Sequence, residues 1–148
     1  VQRRTTRMLP GFKDLTYEER LKRLKLPTLA FRRLRGDMIE MFKMLTIYDQ
    51  SVVPECRIIN QNAIDQRTRG HNRRVPIERP RLNTRKHSFF LRSADPWNSL
   101  STHTVNATTV QAFERRLDRS WSNHPLRYDY KSTVRSLTAT AANQAIFN

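Results

Sequence analysis

This sequence is short of the features that cross-link a chain, anchor it in a bilayer or hold a metal. Cys56 is its single cysteine, so no disulfide can close within the chain, which suits a reducing, intracellular compartment. No apolar run approaches the roughly 20 residues needed to span a bilayer. Arginines open the chain, but no apolar stretch follows them, so a secretory signal is not expected. An Arg-rich, Thr-containing start can mimic a transit peptide, yet Glu18 and Glu19 follow too soon for one. His71, His87, His103 and His124 are scattered and lack a second ligand at metal-binding spacing, so no zinc site is expected. Apolar residues are 37% of the chain, against about 45–50% in an average globular protein, so the core should be modest. Acids are few beside the cations: 13 Asp and Glu face 28 Lys and Arg, a net charge of +15 over 148 residues.

So much charge of one sign repels itself when compact and seeks a polyanion. Nucleic acid is the first candidate, ahead of an anionic membrane surface and an acidic protein. The length fits one domain, or one domain and a tail, and no internal repeat divides it.

Along the chain, residues 1–9 read as the end of a helix stopped by Pro10 and Gly11. Thr16 and Glu19 have the spacing of a capping box, opening a short helix to about Leu24 that Pro27 breaks. The strongest helical pattern is Thr28–Leu45, where Phe31, Leu34, Met38, Met41, Phe42 and Leu45 recur at spacings of 3, 4, 3, 1 and 3. Gly36 within it costs about 1 kcal/mol relative to Ala. Either a close helix contact or simple tolerance accounts for it. Residues 46–88 carry Pro54, Gly70, Pro76 and Pro80 without sustained periodicity. They read as a long, basic, irregular loop with a strand or two, such as Cys56–Ile59. Residues 89–100 are an aromatic cluster, and Pro96 disfavours helical geometry at Asp95. A last helix is expected over Thr109–Trp121, with Val110, Phe113, Leu117 and Trp121 on one face and Thr108 or Thr109 as its cap. Residues 123–148 read as a loose polar tail with a short helix near Thr138–Phe147.

Phrases in this sequence resemble one stretch of a large enzyme family. VQRRTTRMLPG, LTYEERLKRLKLPTL, RRLRGDMIEMFKML, RTRGH, RKHSFFLRSADPWNSL and VQAFERRLDRSW follow one another as similar phrases do in the reverse transcriptases of non-LTR, LINE-class retrotransposons. The resemblance is greatest to the chicken-repeat-like group and covers roughly Val1–Ser122. In that family such phrases lie downstream of the polymerase active site, in the thumb and after it. The resemblance implies a fragment of an RNA-directed DNA polymerase that grips template and primer. Its implied partners are RNA, DNA or an RNA–DNA hybrid, together with the upstream palm and fingers of a parent polymerase, and no membrane.

The implied fold is mainly α: a small helical thumb-like domain with a long basic irregular loop and a loose C-terminal tail. Residues 1–45 would be the basic helical segment, 46–88 the loop-rich connection, 89–122 the aromatic cluster and last helix, and 123–148 the tail. Polymerase chemistry needs metal ions held by clustered carboxylates, in this family on a Tyr-x-Asp-Asp turn. The nearest look-alike, Tyr128-Asp129-Tyr130-Lys131, puts a cation where the second acid belongs. The chain alone is therefore expected to lack catalytic residues, metal ligands and cofactors, and any Mg²⁺ would belong to the missing palm.

The candidate binding residues are cations. Arg3, Arg4 and Arg7 form one group, and Arg20, Lys22, Arg23 and Lys25 a second, within a segment holding eleven Lys and Arg against three acids before residue 36. Arg67, Arg69, Arg73 and Arg74 form a third, in the loop around Gly70 and His71. A solvated surface accounts for many charge runs; the excess over acids and the resemblance favour phosphate contact for the first two groups. His71 reads as a spacer or hydrogen-bond donor. Arg32, Arg33 and Arg35 divide evenly between packing and nucleic-acid contact. Phe89, Phe90, Trp97 and Trp121 are expected inside the core rather than stacked on bases, with Met38, Met41 and Met44 as filler. A different reading remains: a captured retroelement fragment acting as a protein-interaction or structural module, or with no maintained role. Basic clusters also resemble nuclear import signals, which leaves the nucleus open as a destination.

Overall fold

A computed structural model of the chain describes residues 1–48, 70–77 and 81–132. The strand expected at Cys56–Ile59, the helix expected at Thr138–Phe147, and Arg67 and Arg69 lie outside the described residues. The chain is mainly helical, and the described residues contain no strand. No helix among them is long and apolar enough to cross a membrane.

The organising element is α3, Leu29–Thr46. Thr28 starts it, its hydroxyl accepting the Phe31 N–H at 3.1 Å. The expected stripe of Phe31, Leu34, Met38, Met41, Phe42 and Leu45 is buried in full. Gly36 faces open space, and a Cβ there would meet nothing within 4 Å. Tolerance, not a close contact, accounts for that glycine.

Two helices cover the stripe. One is α5, Phe89–Asn98, which the sequence shows only as an aromatic cluster. It runs through Pro96, although a proline inside a helix forfeits a backbone hydrogen bond and costs about 3 kcal/mol. Packing overrides that cost. Trp97 is wholly buried, and its indole N–H donates to the Arg73 carbonyl at 2.7 Å. Arg92 pins the same helix to α3 through two 2.9 Å hydrogen bonds to the Asp37 carboxylate. The other is α7, Val110–Ser120, capped by Thr109 accepting the Ala112 N–H at 3.1 Å. Phe113 of α7 stacks on Phe42 at 4.4 Å and lies 5.9 Å from Trp97. Burying an aromatic of this kind contributes about 2–3 kcal/mol. Short helices α4, Asn83–Lys86, and α6, Thr102–Val105, complete the body.

Residues 70–77 lie as a strap against α5. Val75 N–H donates to the Asn98 side-chain carbonyl at 3.0 Å, and the Asn98 amide returns a bond to Val75 O at 2.8 Å. His71 is buried beside them.

Part of the loose tail expected from residue 123 is packed against the body. Residues 125–127 form a 3-10 turn, and Leu126 is buried in the core. The Thr28 hydroxyl donates to Leu126 O at 2.6 Å and the Thr28 N–H to Arg127 O at 2.9 Å. One apolar residue among polar ones carries no period, so the sequence pattern could not mark this segment as packed.

The N-terminal pair, α1 (Gln2–Arg7) and α2 (Tyr17–Arg23), forms a hairpin beside that body. Leu21 of α2 is fully buried but lies outside the main core cluster. The hairpin joins the body through Gln2 donating to Pro27 O at 3.3 Å and through Tyr17 edge-on to Tyr130 at 5.4 Å.

Candidate nucleic-acid interface

The hairpin is shaped by three local signals. α1 ends at Arg7, and Gly11 in the turn beyond it adopts φ +75°, a conformation glycine takes without strain. α2 opens with the expected capping box: Glu19 accepts the Thr16 N–H at 2.7 Å while Thr16 Oγ1 accepts the Glu19 N–H at 3.3 Å. These bonds hold the Glu19 carboxyl below its ordinary pKa, the Thr16 hydroxyl contributing most and its N–H next. α2 closes through Leu26 N–H to Leu21 O at 2.9 Å and Lys25 N–H to Lys22 O at 3.1 Å. The helix-ending position usually given to glycine is filled by Lys25 at φ 52°.

Between the helices lies an open groove of about 600 Å³. Arg3, Arg4 and Arg7 reach it from α1, Lys13 from the connection and Arg20 from α2. Arg3 and Arg7 stand one helical turn apart, which puts both on one face. Asp14 is the one acid among the lining residues. None of these cations has an ion-pair partner in the described structure. Arg3 instead lies over the rings of Tyr17 and Tyr130 at 6.0 and 5.6 Å. Five cations facing one acid, with no internal neutralisation, make a surface that gains from any bound anion.

The second expected group does not stay together. Arg20 joins α1's arginines in the groove, but it is buried, 5% exposed. Its Nε has no hydrogen-bond partner, and its guanidinium lies 5.9 Å from the Tyr17 ring. Lys22 lines a separate 310 Å³ cleft with Glu18, Asp129 and His124, where acids outnumber it. Arg23 lies over Phe12 at 5.1 Å. Lys25 is exposed at the end of α2. Lys13 is a groove residue that reasoning on helices missed, because it sits between them.

Of the third group, Arg73 and Arg74 are half-buried on the strap and do not line the groove. Arg73 Nη1 and Arg74 Nε are buried without partners. His71 is the hydrogen-bond donor its position suggested. Its Nδ1 accepts the Arg73 N–H at 3.2 Å, so the proton is on Nε2, which donates to Trp97 O at 3.0 Å. Burial pushes its pKa below the ordinary value, with smaller pushes from Arg74 and Arg73 against the raising effect of the Trp97 carbonyl.

Arg35, left open between packing and contact, pairs with α7: its Nε and Nη2 donate to Asp118 at 2.6 and 2.9 Å, and Nη2 reaches Glu114 at 3.4 Å. Arg32 and Arg33 are exposed. In the look-alike turn, Asp129 accepts Ser132 Oγ–H at 2.6 Å and Lys131 N–H at 2.8 Å. It closes a surface turn, and these two bonds, the hydroxyl's first, hold its carboxyl below the usual range.

No family model, curated protein or solved structure matches this chain.

Proposed function

We propose that the chain binds nucleic acid through the α1–α2 groove, as the thumb-side segment of a non-LTR reverse transcriptase whose catalytic palm is not in this sequence. The observation that carries the binding is the convergence of five cations on one groove with no ion-pair partner. The enzyme family rests on the ordered phrases of the sequence alone. Phosphate contacts of this kind position a strand but do not read its bases, so binding is insensitive to sequence.

The test is fluorescence anisotropy of a labelled RNA–DNA hybrid over a salt series, with the full chain. Each phosphate contact contributes a slope of about −0.9 in log K against log salt. Groove engagement therefore predicts a steep fall, and Arg3/Arg4/Arg7→Ala should flatten it. Affinity indifferent to salt, or unchanged in that variant, removes the proposal. Comparing RNA, DNA and the hybrid at one salt then ranks the partners.

The protein-interaction reading draws on one observation. Met8 and Leu9, just past the end of α1, are 78% and 39% exposed. Self-association on size exclusion without nucleic acid, abolished by Met8→Ser, would favour it.

A further inference from the structure

Among the arginines of this chain, Arg20 is placed unlike the rest. A guanidinium removed from water normally finds acceptors, because an unpaired buried charge is costly. Two arginines of the body follow that rule. Arg35 and Arg92, with side chains 30% and 29% exposed, each hold a carboxylate through two nitrogens. Arg20 is 5% exposed and holds none. Arg73, Arg74 and Arg127 also bury a nitrogen without a partner, but none of the three is as buried as Arg20.

None of the acids nearby in sequence pairs with it. Glu19 is committed to Thr16 through the capping box. Glu18 lines the other cleft. Asp14 lines the groove yet pairs with no cation. The N-terminus of α2 offers no alternative anion site, since its own capping box occupies it.

What Arg20 does have is the groove. It lines the same 600 Å³ space as Arg3, Arg4, Arg7 and Lys13, a volume in the range of small-ligand sites. Its neighbour is fixed in advance: the Tyr17 hydroxyl donates to Gln2 Oε1 at 3.1 Å, and the Tyr17 ring faces both Arg20 and Arg3. An arginine fork held in place loses little freedom on binding and matches two oxygens of a phosphoryl group.

We infer that Arg20 is the floor of a phosphate socket: it holds one phosphoryl group of a bound strand, while the α1 arginines and Lys13 hold the surrounding backbone. This rests on the groove being a nucleic-acid surface and adds that one contact in it is a fixed, directional site.

The experiment uses the full chain and two single-stranded 12-nucleotide RNAs, one with a 5′-phosphate and one with a 5′-hydroxyl. Arg20→Lys keeps the charge and removes the fork. It should weaken RNA binding about tenfold or more while the melting temperature, measured alongside, holds. An equal loss for both RNAs assigns the socket to an internal phosphodiester, and a loss confined to the phosphorylated RNA assigns it to a terminal phosphate. The wild-type protein supplies a readout that needs no folded variant: the Arg20 Nε–H resonance should shift on titration with the RNA and, at higher concentration, with inorganic phosphate. A static Arg20 resonance under saturating RNA, or unchanged RNA affinity in Arg20→Lys beside a clear loss in Arg3/Arg4/Arg7→Ala, overturns the socket and leaves the groove standing. Failure of the wild-type chain to bind either RNA removes both.

Discussion

The hairpin of α1 and α2 and the body built on α3, α5 and α7 treat charge in opposite ways. In the body, three cations are answered by acids: Arg35 by Asp118 and Glu114, Arg92 by Asp37, Lys43 by Glu40. The pairs of Arg35 and Arg92 join helices far apart in sequence, α3 to α7 and α5 to α3, beside an apolar core, while Lys43 and Glu40 pair within α3. In the hairpin, the groove cations have no answering acid, and one of them is buried. The body's ion pairs are internal, whereas the hairpin's groove cations carry charge with no internal acid paired to it. A charge run therefore says little until its partners are known.

That contrast can be broken most severely from the body side. Trp97→Ala removes the indole against Phe113 and the bond to Arg73 O together. It should cost about 3–5 kcal/mol, read as a lower urea midpoint. A loss below about 1 kcal/mol would mean that the strap and α5 are not part of the cooperative core.

Charge neutralisation tests the contrast directly. Asp37→Asn leaves the partly buried Arg92 without its carboxylate and should cost about 1–2 kcal/mol, between the exposed and buried limits for ion pairs. Arg4→Ala in the groove removes a cation that pairs with nothing, so stability should hold or rise slightly while nucleic-acid affinity falls. If Arg4→Ala destabilises as much as Asp37→Asn, the two regions do not differ as described.

Two backbone changes sharpen the picture. Gly36→Ala, in open space on an exposed helix face, should stabilise by about 1 kcal/mol. Lys25→Gly relieves a left-handed lysine and should stabilise by about 0.5 kcal/mol, after the entropy cost of glycine in the unfolded chain. Thermal melts distinguish both from wild type.

The gentlest probe is pH. Burial depresses the folded pKa of His71 and of His124 from the ordinary 6.5. Below pH 6.5 the unfolded chain takes up protons that the folded chain refuses, so stability is full above that value and falls as pH drops through it. The decline ends once the folded imidazoles protonate. His71→Gln should reduce the slope of a urea midpoint series between pH 7 and 5, and an unchanged slope would place the effect elsewhere.

Much of the local structure was legible because local rules are strong. The capping residues read from the sequence, Thr16 and Thr109, start α2 and α7, and the stripe of α3 is buried in full. Legibility failed where distant segments decide. α5 persists through Pro96 because Trp97 and Arg92 are held by other elements. Residues 123–132 read as tail, yet His124 lies 5.9 Å from Phe31 and Leu126 fills the core. The candidate site was half visible: the arginines of α1 were named, but Lys13 was missed, and Lys22, Arg23 and Lys25 face elsewhere.

The sequence by itself determined the helical stripes, their caps and the overwhelming positive charge, because these depend on residue type and spacing. Only the tertiary structure decided which cations are neutralised by an acid and which are left unpaired. That choice depends on which carboxylate lies within about 4 Å. Distances between α3 and α7, or between the hairpin and the turn at Tyr130, are set by packing rather than by position along the chain.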